Sequence, residues 1–164
     1  MKRVSLFMLM VAMFLMTSCV LLHAEQKIAF ADKLKVLFEY KKSKELNERL
    51  EKENQQAKED FDKKAQEVKN IRDEMELLSE TARKRKSVEL EAKLKALDEF
   101  RVQKQREISK KYDDGIREIS EEIAEISKKY GKANKYDAII DSRATIYFPD
   151  SLDVTDEVLK ELNK

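Results

Sequence analysis

Turn-forming residues are almost missing from this chain. It holds two glycines, Gly115 and Gly131, and one proline, Pro149, in 164 residues. Because glycine and proline mark most turns and helix ends, so few of them leave room for few turns. The chain must therefore run mostly in long, straight elements. Charged residues make up 41% of it, against about 25% in typical domains, which sets it apart from ordinary globular proteins.

Residues 1–24 have the pattern of a secretory signal peptide. Lys2 and Arg3 precede an apolar run, and charged residues return only after Ala24. The run is too short and too one-sided to be a comfortable membrane span. Cleavage after Ala24 is favoured, because a small residue ends the run there. Processing as a lipoprotein, with acylation of Cys19, is the alternative.

The predicted mature chain lacks several reactive side chains. The only cysteine and the only histidine, Cys19 and His23, lie in the leader, and there is no tryptophan. Without a thiol or an imidazole, cysteine or serine–histidine catalysis, disulfides and the usual zinc sites are excluded. No phosphate-binding glycine motif occurs, so ATP-driven action is not expected. We therefore expect no enzyme, no cofactor and no metal site.

The charge balance bears on the choice of partners. Loss of Lys2 and Arg3 with the leader takes the 34 basic residues to 32, against 33 acidic residues. A dedicated nucleic-acid binder usually needs a basic surplus. Nucleic acid is therefore not an expected partner of the mature chain.

Two stretches of helical periodicity dominate the mature chain. Apolar residues recur every three or four positions in two runs, which end near Leu78 and Tyr130. Each run predicts a polar helix whose apolar stripe is too narrow for a stable isolated helix. The two are expected to fold back as an antiparallel two-helix coiled coil. This hairpin arm is predicted over residues 36–133, with its bend near 79–86.

Three short stretches outside the arm have the composition of strands. Residues 27–32 read KIAFAD, and residues 136–143 and 144–148 are rich in Ile, Tyr and Phe. A short final helix is predicted from about Thr155 to Leu162. The expected fold class is mostly α with a small β body, the long helical arm being inserted between the strands.

The β body is predicted from residues 25–35 and 134–164. With about 50 residues it has too little apolar surface to be comfortable alone, and open strand edges invite pairing. Oligomerisation through this body is expected, although burial does not fix the number of chains. Six apolar residues are the expected core and subunit interface: Ile28, Phe30, Ile139, Ile140, Ile146 and Tyr147.

The order of motifs resembles that of a known family. KIAFAD leads into a helix, the break between the helical runs reads LLSETARKRK, and the C-terminal part reads KYDAIIDSRATIYFPDSLDVTDEVLKELN. Over nearly the whole mature chain, this order is similar to that of the Skp/OmpH family of periplasmic chaperones for outer-membrane proteins. The resemblance implies a periplasmic homotrimer, in which three arms project from a shared β body. Their cavity would hold unfolded outer-membrane proteins, the clients, without ATP.

Two groups of basic residues are candidate contact sites. The first, at the predicted bend, either touches acidic lipid or charged client segments, or is a solvated turn: Arg83, Lys84, Arg85 and Lys86. The second, Arg101 and Lys104, interrupts the apolar stripe of the second run. These two residues either line the cavity or extend along the helix with their charges in water. Three tyrosines on or near the stripe are expected to pack in the core: Tyr112, Tyr130 and Tyr136.

Two functions from different classes fit these features. The first is an ATP-independent holdase, which binds unfolded outer-membrane β-barrel proteins and prevents their aggregation. The alternative is a coiled-coil spacer or adaptor of the cell envelope, which a lipid anchor at Cys19 would favour. A holdase should keep an unfolded barrel protein soluble, whereas a spacer should bind one folded partner.

Overall fold

The computed structural model describes residues 26–164. The predicted leader and both alternatives for its cleavage lie outside these residues. Within them the elements are, in order, β1 (Ile28–Ala31), α1 (Lys33–Glu39), α2 (Lys41–Glu76), α3 (Glu80–Ala133), β2 (Ala138–Asp141), two short 3-10 turns (Ser142–Ala144 and Asp150–Leu152) and α4 (Thr155–Leu162). The chain is mostly helical with a small two-stranded sheet, and α4 has the bounds predicted from the sequence.

β1 and β2 pair in parallel, although three helices separate them along the chain. The register places Ala29 opposite Ile139 and Phe30 opposite Ile140. A parallel pair needs a crossover, and here α1, α2 and α3 together supply it. Ala29 is fully buried. Because side chains alternate along a strand, Phe30 and Ile140 share the opposite face of the sheet, which we call the outer face.

The predicted third strand, residues 144–148, is wrong for the single chain, in which the sheet has two strands. After β2 the backbone turns, and the Arg143 guanidinium donates to the Asp141 carboxylate at 2.7 Å. The Phe148 ring then stacks on the Phe30 ring, with centroids 4.5 Å apart. The segment therefore crosses the outer face of the sheet instead of pairing along its edge.

α2 and α3 pack against each other in opposite chain directions. Four ion pairs join them, and the residue number in α3 falls as that in α2 rises: Lys42–Glu122, Glu53–Lys111, Glu67–Lys93 and Glu74–Lys86. The chain reverses between the two helices at residues 77–79. At about 1.5 Å per residue, α2 is about 54 Å long. The two helices thus form a long projection.

The core lies where this helical pair meets the sheet, α1 and α4. Its buried members are Ala29, Ala31, Val36, Tyr40, Leu46, Leu50, Ile119, Ile123, Val154, Val158 and Leu162. We call the part of the pair around Leu46, Leu50, Ile119 and Ile123 the root, and residues 51–118 the outer pair. In the outer pair, the buried apolar side chains are Val68 and Ile71. Within the helical pair, the buried apolar contacts are therefore concentrated at the root.

Candidate functional site

The basic cluster lies in the first two turns of α3, just after the chain reversal. Arg83 Nε donates to the carbonyl of Met75 at 3.1 Å, and Arg83 Nη2 donates to the carbonyl of Leu78 at 3.4 Å. The last carbonyls of a helix have no partner within the helix. Arg83 therefore caps the end of α2 and holds the reversal together.

The other three members of the cluster differ in how they are held. Lys86 Nζ lies 3.1 Å from the carboxylate of Glu74 and 3.0 Å from that of Glu89, and hydrogen bonds to Glu89 and Glu74 raise its pKa. Lys84 makes one long ion pair, at 3.9 Å, on the solvent side. Arg85 forms no ion pair with any residue in 26–164. Lys84 and Arg85 are therefore the members available to a partner.

We expect Arg83→Ala to loosen the end of α2, because the carbonyls of Met75 and Leu78 lose their side-chain donor, while backbone N–H groups still reach Met75. Each hydrogen bond contributes about 0.5–1.5 kcal/mol, so amide hydrogen exchange over residues 74–82 should speed up by about two- to tenfold. Arg85→Ala is the matched control, since it removes the same charge without removing a bond to α2. Equal exchange rates in the two variants would contradict the capping role.

Arg101 and Lys104 lie about one turn apart on adjoining faces of α3, and both line a small cleft against α2. Lys104 is half-buried in the cleft facing α2, and its Nζ lies 2.7 Å from Glu107 of its own helix. That hydrogen bond raises the pKa of Lys104 and lowers that of Glu107. The Arg101 guanidinium is exposed and donates to Asp98 at 2.9 Å. Of the two, Arg101 is the better placed to meet a partner.

Several large apolar side chains of the helical pair remain in water. Leu77 and Val88, close to the reversal, are 89% and 67% exposed, and Leu94 is 37% exposed. Tyr112 is 45% exposed, so its predicted place in the core is wrong. Leu94 and Tyr112 lie about five helical turns apart on α3 and therefore share one face with Arg101. We call this uncovered stripe, Leu94–Arg101–Tyr112, the α3 stripe.

The position of the α3 stripe follows from helix geometry. An α-helix drifts by about 20° per heptad relative to a strict heptad pattern. Over a helix as long as α3, some residues of a heptad-like run must leave the contact with α2. The other two tyrosines, Tyr130 and Tyr136, lie near the body, half-buried, with ring centroids 6.3 Å apart.

The root contains a polar contact that the sequence reading missed. Tyr40 separates α1 from α2, with ψ at 132°, and its side chain is buried. Lys42 Nζ donates to both carboxylate oxygens of Glu122, at 2.7 and 2.8 Å. Hydrogen bonds from Lys42 and Tyr40 lower the pKa of Glu122. This contact fixes the start of α2 against α3, and so it sets the direction in which the pair leaves the body.

We expect acid to weaken the root contact. The folded-state pKa of Glu122 is lowered, chiefly by the bond from Lys42. Its stabilising effect is complete above the unfolded carboxyl pKa of about 4.3 and is lost as the pH falls through the lower folded value. The difference in unfolding free energy between wild type and Glu122→Gln should be constant above about pH 5 and shrink below about pH 4.3.

Chemical denaturation at a series of pH values measures this difference. Glu125→Gln is the control, because among residues 26–164 Glu125 pairs only with Lys128 of its own helix, at 3.6 Å. The control should cost far less stability than Glu122→Gln at neutral pH. A Glu122→Gln difference that stays constant down to pH about 2.5, where carboxyl groups are protonated, would contradict the assignment.

The six residues predicted for the body core and interface differ widely in burial. Ile139 is half-buried and packs against α3 at Gly131. Exposure rises along the rest of the set, from half-buried Ile28 and Phe30, through Ile140 at 36% and Tyr147 at 80%, to fully exposed Ile146. The outer face of the sheet is thus apolar and partly covered by Phe148, while Ile140 and the nearby Ile146 and Tyr147 stay exposed in the single chain. Its role as a subunit interface stays a prediction.

A groove of about 460 Å³ runs between β2 and the last turns of α3. One wall is formed by residues 136–141 and the other by one face of α3 between Ile123 and Lys132, with Ala31, Val36 and Val158 also among the lining residues. Within residues 26–164 there is no cluster of His, Cys, Asp or Glu suited to a metal ion. The same residues contain no helix with the length and apolar character of a membrane span.

Comparisons with known proteins agree with this architecture. The family described as "Outer membrane protein (OmpH-like)" matches residues 27–162. A crystal structure from Caulobacter crescentus CB15, of a protein described as a candidate OmpH-like outer membrane chaperone, has the same fold. It superposes with a TM-score of 0.78 at 17% sequence identity, over 85% of each chain.

A second relative is more similar in sequence over a shorter stretch. An uncharacterized protein of Aquifex aeolicus (strain VF5) is 29% identical over 91 residues, which is 56% of either chain. The match therefore spans little more than half the length of that relative. The family match, by contrast, runs from the residue before β1 to the end of α4. The chain belongs to the OmpH-like family.

Proposed function

We propose that this chain is an ATP-independent periplasmic holdase, which binds unfolded outer-membrane β-barrel proteins and prevents their aggregation. One observation carries the proposal: a long helical pair leaves a small core and keeps large apolar side chains in water beside basic ones. Leu77, Val88 and the α3 stripe offer many small contacts and no closed pocket. Such a surface suits an extended chain without a fixed shape. Membership of the OmpH-like family supports a chaperone role.

The proposed working form is a homotrimer joined through the β bodies. The partly exposed outer face of the sheet supports this, because a contiguous apolar face on a small body usually marks an interface. Three projections from one body would enclose a cavity with their inner faces. Weak contacts from several arms to one tethered client then add up, since every contact after the first is intramolecular.

We expect two kinds of contact with the client, one mainly apolar and one ionic. The α3 stripe would contact apolar and aromatic client side chains through Leu94 and Tyr112, with Arg101 adding a cation for acidic or aromatic groups. Lys84 and Arg85, at the far end of the pair, would meet acidic client loops or acidic lipid headgroups. Both lysine and arginine contacts of this kind weaken as salt screens them.

Light scattering tests the proposal directly. A denatured outer-membrane β-barrel protein is diluted into buffer with and without residues 25–164, and the mass of the complex is measured in parallel. We expect aggregation to be suppressed at a near-stoichiometric ratio, with three chains per client in the complex. Unchanged scattering in the presence of a well-folded oligomer would overturn the proposal and favour an envelope spacer, which binds one folded partner.

A further inference from the structure

The outer pair contains a small open cleft between α2 and α3. Its volume is about 180 Å³, and both helices line it. The apolar part of the lining includes Phe61 of α2 and Phe100 and Ile108 of α3, all of them half-buried. An apolar cavity of about 150 Å³ is enough to bind a benzene ring. The cleft therefore has the size needed for one aromatic side chain.

The cleft exists because small and polar residues lie where the apolar stripes of the two helices would otherwise meet. Asn54 and Ala57 line it from α2, and Lys104 lines it from α3. The Lys104 Nζ lies 2.7 Å from Glu107 of its own helix. No side chain within residues 26–164 fills the space, so the two phenylalanine rings of the lining remain accessible to a partner.

The charged residues that line the cleft are all cations. They are Lys58, Arg101 and Lys104, and none of the lining residues within 26–164 carries a carboxylate. Asp98 and Glu107, which pair with Arg101 and Lys104, do not line the cleft. Lys58 forms no ion pair with any residue in 26–164. The cleft therefore combines aromatic surface with positive charge that suits an acidic partner.

A further cation lies on one aromatic ring of the cleft. The Lys64 Nζ is 5.3 Å from the centroid of the Phe100 ring. An ammonium group within about 6 Å of a ring centroid is attracted to the face of the ring. Aromatic pairs prefer offset-stacked or edge-to-face arrangements, with centroids about 4.5–7 Å apart. An incoming ring can therefore pack on the edge or the free face of Phe100, close to a fourth positive charge.

We propose that the cleft binds an aromatic side chain that is adjacent, in an unfolded client, to an aspartate or glutamate. The aromatic ring packs on Phe61, Phe100 and Ile108, and Lys58 and Arg101 pair with the carboxylate. The inference rests on the proposed function, since it names the client feature that the helical pair selects. Arg101 belongs to both the cleft and the α3 stripe, so a segment held in the cleft can continue along the stripe.

Fluorine NMR tests this subsite with a defined peptide, because the protein itself contains no fluorine. The probe is a six-residue peptide with blocked ends, in which 4-fluorophenylalanine precedes aspartate, and it is titrated with residues 25–164. We expect a saturable shift of the fluorine resonance. Asparagine in place of aspartate should weaken binding by about two- to fivefold, the effect of one exposed ion pair. An unlabelled peptide with alanine in place of the aromatic residue should not compete with the probe.

Two pairs of variants locate the binding site. Ala57→Leu places extra methyl groups in the cleft and should weaken binding of the probe at least tenfold. Ala65→Leu is its control, because Ala65 is also half-buried on α2 but does not line the cleft. Arg101→Gln should weaken binding by about two- to fivefold, whereas Arg106→Gln, on α3 outside the cleft, should not. Circular dichroism shows that each variant keeps its helices.

Three results would overturn the subsite. They are the absence of a saturable shift with the wild type, equal binding of the asparagine peptide, and probe binding that survives Ala57→Leu. Light scattering with a denatured barrel protein separates the subsite from the proposed function. Suppressed aggregation without probe binding would overturn the subsite alone. Probe binding without suppression would overturn the proposed function and leave a peptide-binding cleft.

Discussion

Removal of residues 55–110 should abolish suppression of client aggregation and leave the body folded. Asn54 would be joined to Lys111 through a short Gly-Ser loop. The Glu53–Lys111 ion pair, at 2.5 Å, brings the two new ends together, so a short loop suffices. The buried root remains intact, while Leu77, Val88 and most of the α3 stripe are lost. Light scattering measures client aggregation, circular dichroism shows whether the body stays folded, and native mass shows whether the oligomer is kept.

A second deletion provides a graded control. Removal of residues 69–91 ends beside the Glu67–Lys93 ion pair, at 2.8 Å, and shortens the helical pair without removing it. If contacts add along the pair, this variant should retain part of the holding activity. Full activity in the 55–110 deletion would contradict the assignment of client binding to the pair. Loss of the oligomer in that deletion would contradict assembly through the body.

The outer pair combines exposure with low local stability. Val68 and Ile71 are its buried apolar side chains, whereas others such as Phe61 and Ile108 are half-buried, and its ion pairs to α3 are partly exposed to solvent. Exposed ion pairs typically contribute about 0–1 kcal/mol each. Segments with few buried contacts open at a lower free energy than the core. A pair of this kind can adjust to clients of different size while the root stays fixed.

Helical periodicity made the long elements of this chain predictable. The two runs, their reversal near residue 79 and the final helix at Thr155–Leu162 all follow from local spacing and the scarcity of turn residues. The family followed from the ordered C-terminal motifs, and the match to residues 27–162 confirms it. Each of these features depends on residues close together in the chain, so a single sequence was enough to predict it.

Features that depend on distant residues could not be predicted in this way. The kink at Tyr40 depends on contacts around Glu122, and the use of Arg83 as a cap depends on where α2 ends. Composition predicted a strand at residues 144–148, but a strand needs a partner, and no other segment within residues 26–164 pairs with it. Gly115 was a visible signal of close packing between the two long helices, since a glycine inside a strong helical pattern often has a packing reason.

Leu46→Ala should be among the most destabilising single substitutions in the chain. Leu46 is 4% exposed and lies in the root, where α2 packs against α3. Removal of a buried leucine side chain leaves a cavity, and the expected loss is about 2–5 kcal/mol of unfolding free energy. Leu77→Ala, at an 89% exposed position, is the control and should change stability by less than about 0.5 kcal/mol. Similar values in chemical denaturation would contradict the placement of the root.

A substitution at Gly115 tests whether Leu46 and Gly115 are in contact. A methyl group added at Gly115 would lie 2.6 Å from Leu46 Cδ2, well inside the usual carbon–carbon separation of about 3.5–4.0 Å. Gly115→Ala should therefore cost about 1–3 kcal/mol of overpacking in the wild type, partly offset by the helix preference for alanine. In the Leu46→Ala background the clash is gone, so the same substitution should gain up to about 1 kcal/mol. This change of sign is the coupling expected of two residues in contact. Additive free energies would contradict the close packing of Leu46 against Gly115.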